Sequence, residues 1–174
     1  HLSSSATRTG MKIMTLIDGV AVKELVRHPD ERGFFEEILR GSDAFFAEGF
    51  GQLSHSFMHE GVVKAWHVHA TQVDWWYVVR GTVKVALYDK RQTSKTYKEL
   101  NEFILGDEAV KPLVLKIPAG VAHGLKVLKG PTDLIYVTSG EYNKEKEEGR
   151  IPYDDPSIGY DWVQGREITN KNIT

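Results

Sequence analysis

From Gly51 onward the chain breaks into short runs rich in β-branched, aromatic and aliphatic residues: Gln52–Phe57, Val62–Val68, Trp75–Val79, Thr82–Tyr88, Leu113–Ile117, His123–Leu128 and Thr132–Thr138. Gly, Pro and polar residues separate them. Each run is too short for a core helix, and extended segments at this spacing predict an all-β antiparallel sandwich or barrel. Within that frame Trp75-Trp76-Tyr77-Val78-Val79 is bulky at every position, so this strand is expected to be buried on both faces and the core to be aromatic.

Upstream, Val20–Val26 and Gly33–Leu39 read as two extended pieces joined by a turn at Pro29 and Gly33. Ser42 or Asp43 predicts the cap of a short helix, Ala44–Glu48, that Gly49 ends. Beyond Glu141 the chain is charged and then turn-rich, which predicts a capping helix or loop. The run Lys144–Arg150 reads as a solvated face. Residues 1–10 are expected to be a flexible tail, and 11–174 one domain, since 174 residues suffice for a single core. No internal repeat or linker divides it.

The charge balance narrows the partners. A net charge of -2 and a pI near 6.4, with no basic block, argue against a nucleic-acid surface. No apolar run approaches the ~20 residues that span a bilayer, and no secretory leader is recognisable, so a cytoplasmic location is expected. With no cysteine, thiolate catalysis and thiolate metal sites are excluded; a metal would need imidazole and carboxylate ligands.

His67 and His69 fall two apart in a predicted strand, so both imidazoles aim to one face. Gly61 precedes His67, and Asp74 and Gly81 follow at fixed distances; a second stretch reads Pro118-Ala119-Gly120-Val121-Ala122-His123. These two stretches resemble the two motifs of the cupin superfamily, with Asp74 where a Glu is usual. The resemblance implies a jelly-roll barrel with a few short peripheral helices. It also implies a possible set of ligands, His67, His69, Asp74 and His123, suited to one divalent metal such as Zn, Fe, Mn or Ni.

A closer resemblance covers nearly the whole chain. Asp30-Glu31-Arg32-Gly33-Phe34-Phe35-Glu36-Glu37, Pro118 to Gly124, Tyr136 and Tyr142, and Asp154-Asp155-Pro156 to Trp162 are similar in order and spacing to the nucleotide-sugar 3,5-epimerases. These enzymes act on dTDP-4-keto-6-deoxyglucose on the way to dTDP-rhamnose. The resemblance implies His67 as general base and Tyr136 as opposing acid, with no cofactor. Substrate contacts would fall on Arg32, Glu37, Gln52, Lys64 and Tyr142, with His69 and His123 in the pocket. It further implies a small-molecule nucleotide-sugar partner and a homodimer in which N-terminal strands cover the sheet edges. The chemistry fits these residue types: a 4-keto group acidifies the hydrogens on C3 and C5, so inversion needs a base on one face and an acid on the other. Arg32 would suit a pyrophosphate through its planar fork.

Three departures stand against the family pattern. Lys64 replaces an arginine, Asp74 replaces a lysine, and Gly165–Thr169 supplies no aspartate to pair with the base. Three functions remain compatible with these residues: an epimerase using His67 and Tyr136, a metal-dependent cupin enzyme using His67, His69, Asp74 and His123, and a non-catalytic sugar-nucleotide binding cupin. One histidine cannot be both free base and metal ligand.

Overall fold

The computed structural model describes residues 7–9, 12–143, 145 and 148–163. Twelve strands account for nearly all its regular structure: β1 (Thr7–Thr9), β2 (Lys12–Met14), β3 (Ala21–Glu24), β4 (His28–Asp30), β5 (Gly33–Phe35), β6 (Gln52–Met58), β7 (Val63–His69), β8 (Asp74–Asp89), β9 (Leu100–Gly106), β10 (Leu113–Ile117), β11 (Val121–Thr138) and β12 (Glu148–Arg150). All pairings are antiparallel.

Two strands organise the rest. The sequence predicts four runs, Trp75–Val79, Thr82–Tyr88, His123–Leu128 and Thr132–Thr138, but the first two are one strand, β8, and the last two are another, β11. Each bends midway, where the register between them shifts from Val127/Lys129 to Asp133/Leu134. Gly81 allows the bend. Its φ is +88°, and a Cβ there would come within 2.8 Å of two carbonyl oxygens on the facing strand, so only glycine fits. A glycine reads in the sequence as a stop; here it turns a continuous strand from one layer into the next.

The bend yields two layers. The first holds β6, the second half of β11, the first half of β8, β10 and β3. In the second lie β12, β7, the first half of β11, the second half of β8, and β9. This is the expected all-β jelly roll.

Between the layers lies an aliphatic core. Val83, Val85, Leu87, Leu105, Leu115, Ile117, Val121 and Val127 are all at most 2% exposed, with Trp76 its one buried aromatic. Most of the large rings instead pack on the outer faces. Trp75 and Tyr77 meet Phe45 and Phe46 on one side; Trp66 and Trp162 meet Tyr160 on the other. The expectation of an aromatic core is thus corrected. Alternate residues of β8 point inward and outward, and a barrel interior narrowed by its own curvature takes branched aliphatics. Burial of the strand on both faces is observed, for Trp75, Trp76, Tyr77 and Val78 are each at most 7% exposed. Each such side chain contributes roughly 1.5–3 kcal/mol.

Three further expectations change. Ala44–Glu48 is not an α-helix but one turn of 3-10 helix, Ala44–Phe46. The Asp43 carboxylate accepts from Lys23 Nζ at 2.7 Å and Arg40 N at 2.8 Å, so it does not cap the turn that follows. The presumed tail contains β1, paired with β2. Leu100–Gly106, unassigned by sequence, forms β9 against β8.

Candidate active site

A cavity of about 270 Å³ opens between the two layers. Its floor is the end of the aliphatic core, with Met58, Leu125 and Leu134 shared between core and cavity. From the second layer come Lys64, His67 and His69 on β7 and His123 on β11. The first layer supplies Gln52 and Ser56 on β6, Asp74 and Trp76 on β8, and Tyr136 and Thr138 on β11; Gln72 and Tyr142 come from adjoining loops.

Strand geometry explains the placement. His67 and His69 share a face because they lie two apart. Lys64 is three residues from His67 and yet lines the same cavity. Lys64 pairs with Leu125 and His67 with His123, three steps on β7 against two on β11, so a bulge absorbs the extra residue and re-aims the strand.

At the deep end, His69, Asp74 and His123 converge, each offering a ligand atom within 4.8 Å of the others. Asp74 is 2% exposed. Its Oδ1 accepts from Gln72 Nε2 and its Oδ2 from Trp76 Nε1, both at 3.1 Å. Asp74 Oδ2 also lies 3.8 Å from His69 Nε2, beyond hydrogen-bonding distance. The His123 ring stands 5.1 Å from that of His69 and 6.0 Å from that of His67, and Trp76 meets it edge-on at 5.2 Å. Neither His69 Nδ1 nor His123 Nδ1 has a hydrogen-bond partner, although both atoms are buried.

These environments set the charge states. Burial holds His123 well below the usual imidazole value, and neighbouring His69 and His67 push it the same way, so it is neutral. Burial raises the Asp74 carboxyl, against the opposing pull of His69 and of the two N–H groups it accepts.

Other predicted residues divide cleanly. Gln52, Lys64, His67, His69, His123, Tyr136 and Tyr142 all line the cavity. Gln52 ties the mouth together, since its Oε1 accepts from Tyr142 N at 3.0 Å and its Nε2 donates to Ser54 Oγ at 2.9 Å. Lys64 Nζ donates to Ser56 Oγ at 3.4 Å. Arg32 and Glu37 lie elsewhere. Arg32 sits in the exposed β4–β5 hairpin, paired with Asp30 at 2.6 Å, and Glu37 pairs with Arg40 at 3.8 Å. Sequence reasoning missed Ser56, Gln72 and Thr138. For Ser56 and Thr138 a signal existed: they share a strand face with Gln52 and Tyr136 respectively. Gln72 lies in a loop and offered none. Gly165–Thr169, where a base-pairing aspartate was sought, lies outside the described residues.

The four-residue metal set is not reproduced. Among the described residues only His69, Asp74 and His123 group closely enough, and His67 is not one of them. His67 stands outside that group, so the four residues do not form one set of ligands in this structure.

An all-β barrel whose cavity is lined by imidazoles, two phenols, a lysine and two amides has the inventory of an acid-base enzyme on a sugar-sized substrate. Residues 14–173 match the family described as dTDP-4-dehydrorhamnose 3,5-epimerase, and the chain belongs to that family. It is an isomerase by class. A spore coat polysaccharide biosynthesis protein of Bacillus subtilis is 46% identical over 149 residues, 84% of this chain and 97% of that one. A dTDP-4-dehydrorhamnose 3,5-epimerase of Methanothermobacter thermautotrophicus is 34% identical over 86% of this chain and 82% of its own. Among solved structures, the Legionella pneumophila epimerase in complex with dTDP-4-keto-L-rhamnose superposes with a TM-score of 0.76 at 31% identity, covering 89% of this chain and 84% of that one.

Proposed function

We propose that this chain epimerises a dTDP-linked 4-keto-6-deoxyhexose by abstracting a proton from the carbon next to the keto group. His67 is the base and Tyr136 the acid on the opposite face. The observation that carries this reading is their placement. His67 enters from β7 in one layer and Tyr136 from the second half of β11 in the other, so the two reach the cavity from opposing walls.

In the reaction, His67 takes the C–H proton, and the electron pair forms a C=C bond while the carbonyl oxygen becomes an enolate. Tyr136 then returns a proton from the other face, and solvent restores both groups to their starting states. No redox step and no cofactor is required. Lys64 at the cavity mouth is placed for a diphosphate oxygen, with Gln52 and Tyr142 beside it. Arg32 and Glu37, outward in the single chain, are proposed to serve a neighbouring protomer's cavity in a cytoplasmic homodimer.

Deuterium entry at C3 and C5 of dTDP-4-keto-6-deoxyglucose in D2O, followed by NMR, tests the mechanism, because the enolate must exchange with solvent. Exchange is expected in the unmodified protein and is slowed about 10²- to 10⁴-fold in His67→Ala. Full exchange in that variant would exclude His67 as base, and none in the unmodified protein would overturn the reading.

A further inference from the structure

Resting on the epimerase reading, the geometry points to a second role for the deep cluster: the His69–Asp74 pair forms a subsite for one sugar hydroxyl, with His123 packed beside it, and thereby fixes which hexose is accepted. Its groups have three features together: Asp74 and His123 are buried and His69 is half-buried, they converge, and Asp74 and His69 do not bond to one another. Asp74 Oδ2 and His69 Nε2 face each other at 3.8 Å, too far for a direct hydrogen bond. One oxygen placed about 2.8 Å from each would bridge them, at the usual O···O and N···O spacing.

A hydroxyl of the sugar, taking the place a water can fill in the free protein, suits that bridging position. A carboxylate only accepts, so the group between needs a proton to give it; an imidazole N–H donates, so the same group must also accept. A hydroxyl does both, whereas a carbonyl oxygen can only accept and would be repelled by Asp74. The pair therefore places the 4-keto group elsewhere and grips a hydroxyl instead. His69 lies two residues along β7 from His67 on the same face, about 6.8 Å along the strand, so a ring whose C–H faces His67 can turn a hydroxyl toward the His69–Asp74 pair. In a 4-keto-6-deoxyhexose linked through C1 only the C2 and C3 hydroxyls are free to do so.

The surrounding structure supports a built site. Trp76 and Gln72 fix the carboxylate by donating to its two oxygens. Trp76 also packs edge-on against His123, 4% exposed, whose buried Nδ1 lacks a partner.

Calorimetric titration of the full chain tests this without turnover, using dTDP, dTDP-6-deoxyglucose and its 2-deoxy and 3-deoxy analogues. In the unmodified protein the sugar should tighten binding over dTDP alone. Asp74→Asn and His69→Leu are expected to remove about 10-fold or more of that gain, as loss of a charge-assisted hydrogen bond does, and to leave dTDP affinity unchanged. One deoxy analogue should bind both variants and unmodified protein alike. Equal weakening toward dTDP, equal weakening toward every analogue, or a sugar gain that appears only on adding a divalent metal would each overturn the subsite. If the unmodified protein binds none of these ligands and exchanges no deuterium, the epimerase reading falls with it; normal binding with indifferent variants refutes the subsite alone.

Discussion

Two buried aspartates on the same strand, at opposite ends of β8, are treated very differently. Asp89, fully buried, is saturated: it accepts from Arg91 Nε at 2.9 Å and Nη2 at 3.0 Å, from Arg91 N at 3.0 Å, and from Ser94 and Thr96 hydroxyls at 2.7 Å. Those donors hold its carboxyl far below the usual range despite burial. Asp74 accepts two neutral N–H groups and faces a histidine it does not bond, while two imidazole nitrogens nearby have no partner. Saturated buried polarity closes the loop that follows β8; unsaturated buried polarity marks the cavity. Where one fold can carry many chemistries, that contrast separates scaffold from site more reliably than burial does.

Substitution is the strongest way to break the comparison. Asp89→Ala should cost about 3–5 kcal/mol in chemical denaturation, because it removes the shared acceptor of the Arg91 guanidinium, the Arg91 backbone N–H and two hydroxyls, leaving Arg91 only the Asp18 carbonyl. Its exchange rate per folded molecule should be unchanged. If Asp89→Ala were instead stable but inactive, the assignment of the two aspartates would be reversed.

Acid titration gives an intermediate effect of known sign. His123 is neutral when folded and takes up a proton when unfolded, so stability should fall as pH drops below about 6.5, by at most about 1.4 kcal/mol per pH unit. Asp74 acts oppositely. Its raised folded value contributes stability that is present at acid pH and lost as pH rises through that value. Asp89, depressed, contributes stability above the unfolded carboxyl value, lost only in strong acid. Denaturation midpoints of His123→Asn from pH 7 to 5 should flatten the first slope; an unchanged slope would place the titrating group elsewhere.

The milder substitution sharpens the contrast. Asp74→Asn keeps an acceptor for one of its two N–H donors and leaves the other buried N–H unpaired, so it should cost about 1–3 kcal/mol, less than Asp89→Ala. A loss as large as that of Asp89→Ala would make Asp74 a scaffold residue and not a ligand group.

Much of this was readable from residues alone, for reasons that can be named. His67 and His69 were identifiable as one face through period-two alternation, and His123 through the resemblance of Pro118–His123 to a cupin motif; all three line the cavity. β9 was not. Asn101 and Glu102 look like loop residues, yet Asn101 is fully buried, its Oδ1 accepting from Ile17 N and its Nδ2 donating to Thr15 O. A long-range partner decides that strand, and no local pattern reports it. The same applies to Gly81 and to Gly130-Pro131, which locally signal breaks but lie within or beside continuous strands. The 3-10 turn at Ala44 failed for a similar reason, since Asp43 is spent on Lys23 and Arg40. Arg32 and Glu37 match the family motif in sequence, but neither lines this chain's cavity, and each pairs with a neighbouring charged residue instead.

The bent strand β11 has a consequence for how the molecule comes to exist. It is the shared neighbour of β6, β7 and β8, and it is made after all three. During synthesis those strands leave the ribosome before β11 is available to close both layers at once. Contacts so distant along the chain form slowly, and unpaired edges invite association with other chains in the interval. The most vulnerable moment of this protein's life therefore falls before residue 138 has emerged, and substitutions at the β11 bend are expected to lower its yield in cells more than its stability once folded.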